Sequence, residues 1–194
     1  MLPVAWSSTC GQVAVRASAE PLSTKIGPVL KRVTPSVVGL WYGDQRKIHV
    51  TGVIISQDGM IVTCGHLSAK VGEVVDVRLT DGRKSEGKVL AKLSPQGDET
   101  RDLAMIKMLS GSSWPSVEVG TSLNLSESDS LLLLGLGDSG LFSEFANGPP
   151  LQVRLGTKLF NANDRPDVMH TTISAIVGGD SGGPLFDLGG RLVS

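Results

Sequence analysis

From Leu22 to Val33 the apolar residues Ile26, Val29, Leu30 and Val33 recur at helical spacing, and the run stops just before Pro35, which disfavours helix in the residue ahead of it. The spacing predicts a short amphipathic helix. Beyond it the period becomes two. Ser36–Tyr42, His49–Ile55, Met60–Thr63, Val74–Leu79, Arg83–Leu93 and Leu103–Met108 each read as a strand, with turn signals at Gln57-Asp58-Gly59 and Asp81-Gly82. The polar run Ser110-Gly111-Ser112-Ser113-Trp114-Pro115 breaks this pattern as a linker. Then Val117–Val119, Leu131–Leu136, Leu151–Phe160, Val168–Ile173, Pro184–Phe186 and Arg191–Val193 read as further short strands. With no strand–helix–strand rhythm, an all-β chain of two small antiparallel barrels or sandwiches is expected, and a parallel doubly wound sheet does not fit. The expected organisation is a disordered or signal-like segment over 1–21, the helix and first barrel over 22–110, a linker over 111–116 and the second unit over 117–194.

Composition supports a folded chain that turns often. Of 194 residues, 24 are Gly and 10 are Pro, 40% are hydrophobic and 19% are charged. The 18 basic and 19 acidic side chains nearly cancel. No basic run is present, so a nucleic-acid surface is not expected. Two cysteines, Cys10 and Cys64, cannot build a disulfide framework, and no Cys/His cluster suggests a metal. No apolar run is long enough to span a bilayer. Leu2–Trp6 is apolar and Ala17-Ser18-Ala19 resembles a cleavage site, but no basic segment precedes them. The remnant of a signal peptide and a disordered tail both stay open for the first twenty residues.

The sharpest chemical signal is Gly178-Gly179-Asp180-Ser181-Gly182-Gly183-Pro184-Leu185. A serine crowded by glycines can expose its hydroxyl while neighbouring N–H groups converge on one point, as an oxyanion hole requires. The plain alternative is a Gly-rich hairpin turn. Gly137-Asp138-Ser139-Gly140 repeats the core of the motif, but Leu141 and Phe142 follow where Gly and Pro should stand, so a surface loop is expected there. Residues 179–183 also spell the nucleophile elbow of α/β-hydrolases, a fold that places its acid and histidine after the serine. The 13 residues after Ser181 hold no histidine, which excludes that fold.

A serine nucleophile needs a base, normally a histidine steadied by a carboxylate. His66 follows the strand Met60–Thr63 at a strand-to-loop edge, whereas His49 and His170 sit inside alternating strands and read as packing or surface residues. Asp102, ahead of the apolar strand Leu103–Met108, is the candidate orienting acid. Asp98 and Glu99 look solvated.

These stretches together resemble a trypsin-like serine protease, most closely of the HtrA/Deg branch. The similarity runs through Ile26–Tyr42, Thr51–His66, Asp102–Lys107 and Thr171–Asp187. The family order His, Asp, Ser matches His66, Asp102 and Ser181. The resemblance implies two six-stranded antiparallel barrels with the active site in the cleft between them, and a serine endopeptidase that uses no metal or organic cofactor. It further implies an oxyanion hole from the N–H groups of Gly179 and Ser181. The floor of the primary specificity pocket, six residues before the serine, falls on Ala175, which favours cleavage after small or aliphatic residues. Peptides or unfolded proteins are the implied substrates, met outside the cytoplasm in the periplasm, the cell envelope or the medium. A catalytically weak or inactive peptide-binding module on the same fold is the alternative.

Three departures from the family stand out. Asp180 occupies the position before the serine where HtrA proteins usually carry Asn. In secreted zymogens that aspartate pairs with a new N-terminus, and no activation site lies near residue 25, so Asp180 needs another partner. No PDZ domain is expected within the chain, and the last strand of the second barrel is expected to be missing after Ser194. Cys64, without a cysteine neighbour, is expected as a free thiol packed like a small apolar residue.

Overall fold

A computed structural model of the chain describes residues 22–43, 48–93, 101–137, 151–162 and 165–194. Helix α1 (Leu22–Val33) has the bounds its apolar spacing predicts. Val29 and Val33 are buried, with Ile26 and Leu30 partly so. A 3-10 turn, Thr34–Ser36, carries Pro35 and ends the helix.

Six strands follow: β1 (Val37–Tyr42), β2 (Ile48–Ile54), β3 (Met60–Thr63), β4 (Val74–Leu79), β5 (Lys84–Leu93) and β6 (Leu103–Met108). They close into an antiparallel barrel in the order β1-β2-β3-β6-β5-β4. Period two decides what faces inward: Val75, Val77 and Leu79 of β4 and Ala104, Ile106 and Met108 of β6 are buried in alternation. With Val38, Leu40, Ile54, Ile61 and Val89 they fill the barrel, each large aliphatic side chain contributing roughly 1.5–3 kcal/mol by leaving water. Strand β1 is buried along its whole length, because its other face looks toward the second unit.

That unit is a four-stranded antiparallel sheet in the order β10-β7-β8-β9, from β7 (Ser130–Gly135), β8 (Gln152–Ala162), β9 (Arg165–Thr171) and β10 (Leu185–Asp187). The all-β architecture of two antiparallel units is as expected. Where six strands were anticipated for the second unit, four form its sheet among the described residues. Val117–Val119 and Arg191–Val193, read as strands from their sequence, contribute only bridges, Val119 to Leu192 and Phe186 to Leu192. A three-residue apolar run signals extended backbone but does not secure a ladder partner.

A second apolar core welds the pieces together. It joins Val29 and Val33 of α1, Val37 and Val53 of the barrel, and Leu132, Leu134 and Phe186 of the sheet. Arg32, in the last turn of α1, also donates to the Gly189 carbonyl beyond β10. The barrel and the sheet therefore meet along a packed seam, and the candidate residues lie on its rim. No helix among the described residues is long and apolar enough to cross a membrane.

Candidate active site

The barrel register brings the histidine and the aspartate together. β3 runs antiparallel to β6, with Thr63 opposite Ala104. The residues just past the end of β3 therefore lie beside those just ahead of β6. Asp102 uses both carboxylate oxygens on His66: Oδ1 accepts the backbone N–H at 2.6 Å, and Oδ2 lies 2.6 Å from Nδ1. An ionised carboxylate only accepts, so this contact places the imidazole proton on Nδ1 and leaves the Nε2 lone pair free. The His66 side chain is 54% exposed and that of Asp102 30%. The base is open to solvent, and its orienting acid is partly sheltered.

Ser181 arrives from the second unit, between a tight turn over Val177–Asp180 and β10. Its carbonyl accepts the Thr51 N–H of β2 at 2.9 Å. Gly182 is pressed so closely on the barrel that a Cβ there would stand 2.2 Å from Thr63 Oγ1 and 2.7 Å from the Cys64 nitrogen. Only glycine fits at φ +77° in that space. The close approach sets Gly182, the residue after Ser181, against Thr63 and Cys64 at the end of β3, three and two residues ahead of His66. Among the described residues no acceptor takes the N–H of Gly179 or of Ser181. Both of the donors expected for an oxyanion are unspent. A cavity of about 260 Å³ is lined in part by Thr63, Cys64, Asp102, Gly182 and Pro184, and not by Gly179, Ser181 or His66. A larger one of about 500 Å³, around Glu118, Asp129 and Arg191, shares no residue with it. Of the candidate residues only Asp102 lines the smaller cavity and none lines the larger, so the site is defined by the His66–Asp102 contact and not by cavity volume.

Ala175 stands apart from this cluster. It is exposed, has a left-handed backbone (φ +59°) and does not line the cavity beside Asp102. Of the other two histidines, His49 packs at the join of the two units and His170 lies on the surface. His49 stacks on Trp41 with ring centroids 5.0 Å apart, and its Nε2 donates to the Leu136 carbonyl at 2.8 Å. His170 stacks on Phe160 at 4.7 Å. Cys64 is a buried free thiol, pushed up to about 11 chiefly by burial. It stays neutral near pH 7 and packs as an apolar residue. Cys10 and Ser139 lie outside the described residues.

Two residues that sequence reasoning passed over hold the site. One is Arg154, on β8. The other is Thr51, fully buried on β2. Besides its N–H bond to Ser181, the Thr51 hydroxyl donates to the Gly179 carbonyl at 2.7 Å and accepts the Leu136 N–H at 2.9 Å. The Thr51 carbonyl in turn accepts from Thr63 Oγ1 at 2.6 Å. No local signal marks it, since a threonine in a strand is ordinary. Thr51→Val keeps the shape and orphans the buried Leu136 N–H and the half-buried Gly179 carbonyl, a loss of about 1–3 kcal/mol. At about 2–4 °C per kcal/mol for a chain of this size, thermal denaturation should show a clear fall. An unchanged melting temperature would mean that the hydroxyl is not bonded as described.

An antiparallel barrel packed on a second antiparallel sheet, with a His–Asp pair and a glycine-flanked serine at the seam, defines the class of the two-unit β-fold peptidases. Residues 50–194 match the trypsin-like peptidase domain, and the chain belongs to that family. Its relatives are of the HtrA/Deg type. It is 31% identical to the serine protease HTRA4 of Homo sapiens, over 99% of this chain and 41% of that protein. It is 34% identical to a probable periplasmic serine endoprotease, DegP-like, of Pseudomonas fulva (strain 12-X), over 74% of this chain and 27% of that one. The chain thus spans less than half the length of either. The serine endoprotease of Yersinia pestis has a similar fold, with a TM-score of 0.68 over 86% of this chain and 54% of that one at 23% identity.

Proposed function

We propose that the chain is a serine endopeptidase domain that works through an acyl-enzyme, with Ser181 as nucleophile, His66 as base and Asp102 as the acid that orients it. The observation that carries this reading is the double contact of Asp102 on His66, which leaves Nε2 as the free base. Ser181 Oγ bonds to the scissile carbonyl carbon as its proton passes to His66 Nε2. The carbonyl oxygen becomes an oxyanion, and the N–H groups of Gly179 and Ser181 receive it. His66 then returns the proton to the leaving amine as the C–N bond breaks. Water repeats the sequence to free the acid and restore Ser181. Asp102 stabilises the imidazolium formed in each half.

The family resemblance, and not the observed cavity, makes Ala175 the floor of the primary pocket, and with Ser174 and Ile176 beside it that segment offers no carboxylate to pair with Lys or Arg. Cleavage after small or medium aliphatic residues of unfolded polypeptides follows. A setting outside the cytoplasm agrees with the relative named as periplasmic, and a part in protein quality control goes with unfolded polypeptides as substrates. The test is a peptide library digested with the purified chain and read by mass spectrometry. Cuts should cluster after Ala, Val, Leu and similar residues. A strong preference for Arg or Lys overturns the pocket assignment.

A further inference from the structure

Asp180 is the one departure from the HtrA pattern that touches the nucleophile directly, and the fold gives it a partner. Its side chain is 1% exposed, and Oδ2 forms an ion pair with Arg154 Nη2 at 2.8 Å. A carboxylate so deeply buried is expensive unless paired. Arg154 reaches it from the inner face of β8 and does more than neutralise it. Its Nε donates to the Ala175 carbonyl at 3.0 Å, and Nη2 also donates to Gln152 Oε1 at 2.5 Å. One guanidinium therefore ties β8 to the 175 segment and to the residue before the nucleophile. A lysine, with a single point charge, cannot reproduce that fork.

Asp180 passes the constraint on. Its Oδ2 also accepts the Val177 N–H at 3.0 Å, while its own N–H donates to the Val177 carbonyl at 3.1 Å. These bonds close a four-residue turn from Val177 to Asp180. Gly179, third in that turn, has φ +90°, and Gly178 is not in the positive-φ region. The combination is a type II turn. Its central peptide unit, Gly178–Gly179, carries the Gly179 N–H. A type I turn spans the same four residues with that peptide rotated by half a turn, which would direct the N–H elsewhere. The oxyanion donor is therefore only as secure as the turn type, and the clamp on the turn is Asp180.

We propose that Arg154 is a positioning residue: a built-in counterion for Asp180 that holds the Val177–Asp180 turn in the form presenting the Gly179 N–H. The loop before Ser181 is then set by a side chain of β8 and needs no newly cut amino terminus to pair with Asp180. The proposal rests on the serine-endopeptidase reading for its effect on rate, and on the ion pair alone for its effect on stability.

The experiment compares wild type, Arg154→Met, Arg154→Lys, Asp180→Asn and the Arg154→Met/Asp180→Asn double variant. The readouts are melting temperature and the second-order rate of Ser181 labelling by a fluorophosphonate, scaled to the folded fraction. Arg154→Met should label about 10²-fold more slowly per folded molecule, the size of losing an oxyanion donor. Arg154→Lys should fall between Arg154→Met and wild type. The double variant should regain at least about tenfold over Arg154→Met, because asparagine removes the buried charge and can still accept the Val177 N–H. Labelling of Arg154→Met at the wild-type rate makes Arg154 merely structural and overturns the proposal. So does a double variant no faster than Arg154→Met. If Arg154→Met does not fold, the Lys and double variants decide it, and wild-type labelling by both overturns it. If wild type itself is not labelled, the peptidase reading fails. The melting temperatures still judge the clasp, with strong non-additivity supporting it and additive shifts overturning it.

Discussion

A fluorophosphonate should label the wild-type chain at Ser181, leave Ser181→Ala unmarked, and label Ser139→Ala as it does wild type. Both serines sit in a Gly-Asp-Ser-Gly string, so sequence alone makes them rivals. What separates them is the surroundings. Ser181 is anchored through its carbonyl to Thr51 and followed by a glycine wedged against Thr63 and Cys64. Those contacts tie it to the end of the strand that leads to His66. A phosphonylating probe reacts quickly only with a hydroxyl whose proton can be taken by a base and whose adduct oxygen meets N–H donors. Peptide turnover by Ser181→Ala should fall on the order of 10⁶-fold, the size found when a triad nucleophile is removed. The measurement is intact-mass labelling with peptide mapping of the modified residue. Equal labelling of wild type and Ser181→Ala would sink the assignment.

Much of the fold was legible because its signals are local. The helix over Leu22–Val33 and the strands Met60–Thr63, Val74–Leu79 and Leu103–Met108 keep the bounds their periodicity predicts. His66 and Asp102 were readable for a related reason. Each stands at the end of a strongly patterned strand, and antiparallel neighbours bring such ends together. What pattern reading missed is non-local. Alternation along β8 would turn Val153 and Leu155 inward and Arg154 and Lys158 outward. The structure does the reverse. Val153 and Leu155 are 41% and 46% exposed, whereas Lys158 is 7% exposed and the Arg154 side chain 12%. The cause lies elsewhere in the chain: Arg154 meets Asp180, and Lys158 Nζ donates to the Leu125 carbonyl at 2.7 Å. A periodic pattern reports that a strand exists. It cannot report which face is the interior when polar partners wait there. Thr51 was invisible for the same reason, since all its partners in the site come from other elements. The question left open by Asp180 was sharper, because a buried charge demands a partner even when the sequence does not say which.

Asp102→Asn should lower kcat by about 10⁴-fold while KM and melting temperature stay close to wild type. Asparagine has the same shape, and its Oδ1 can go on accepting the His66 N–H, so the turn after β3 keeps its anchor. The change falls on the other oxygen. Where Oδ2 now accepts from Nδ1 at 2.6 Å, an amide NH₂ would donate instead. The imidazole can meet that donor only by giving up the proton on Nδ1, which moves it to Nε2. Nε2 then has no lone pair for the Ser181 proton, and no carboxylate remains to stabilise an imidazolium. The loss should therefore appear in the chemical step and leave substrate binding untouched. The competing explanation for the contact is structural: Asp102 merely caps the His66 turn, as many aspartates ahead of strands do. Under that explanation asparagine serves nearly as well, and kcat falls by less than about tenfold. Steady-state kinetics on an aliphatic peptide, with circular dichroism to verify the fold, separates the two. A small loss of kcat with the fold intact would remove Asp102 from the catalytic machinery and leave His66 without its orienting acid.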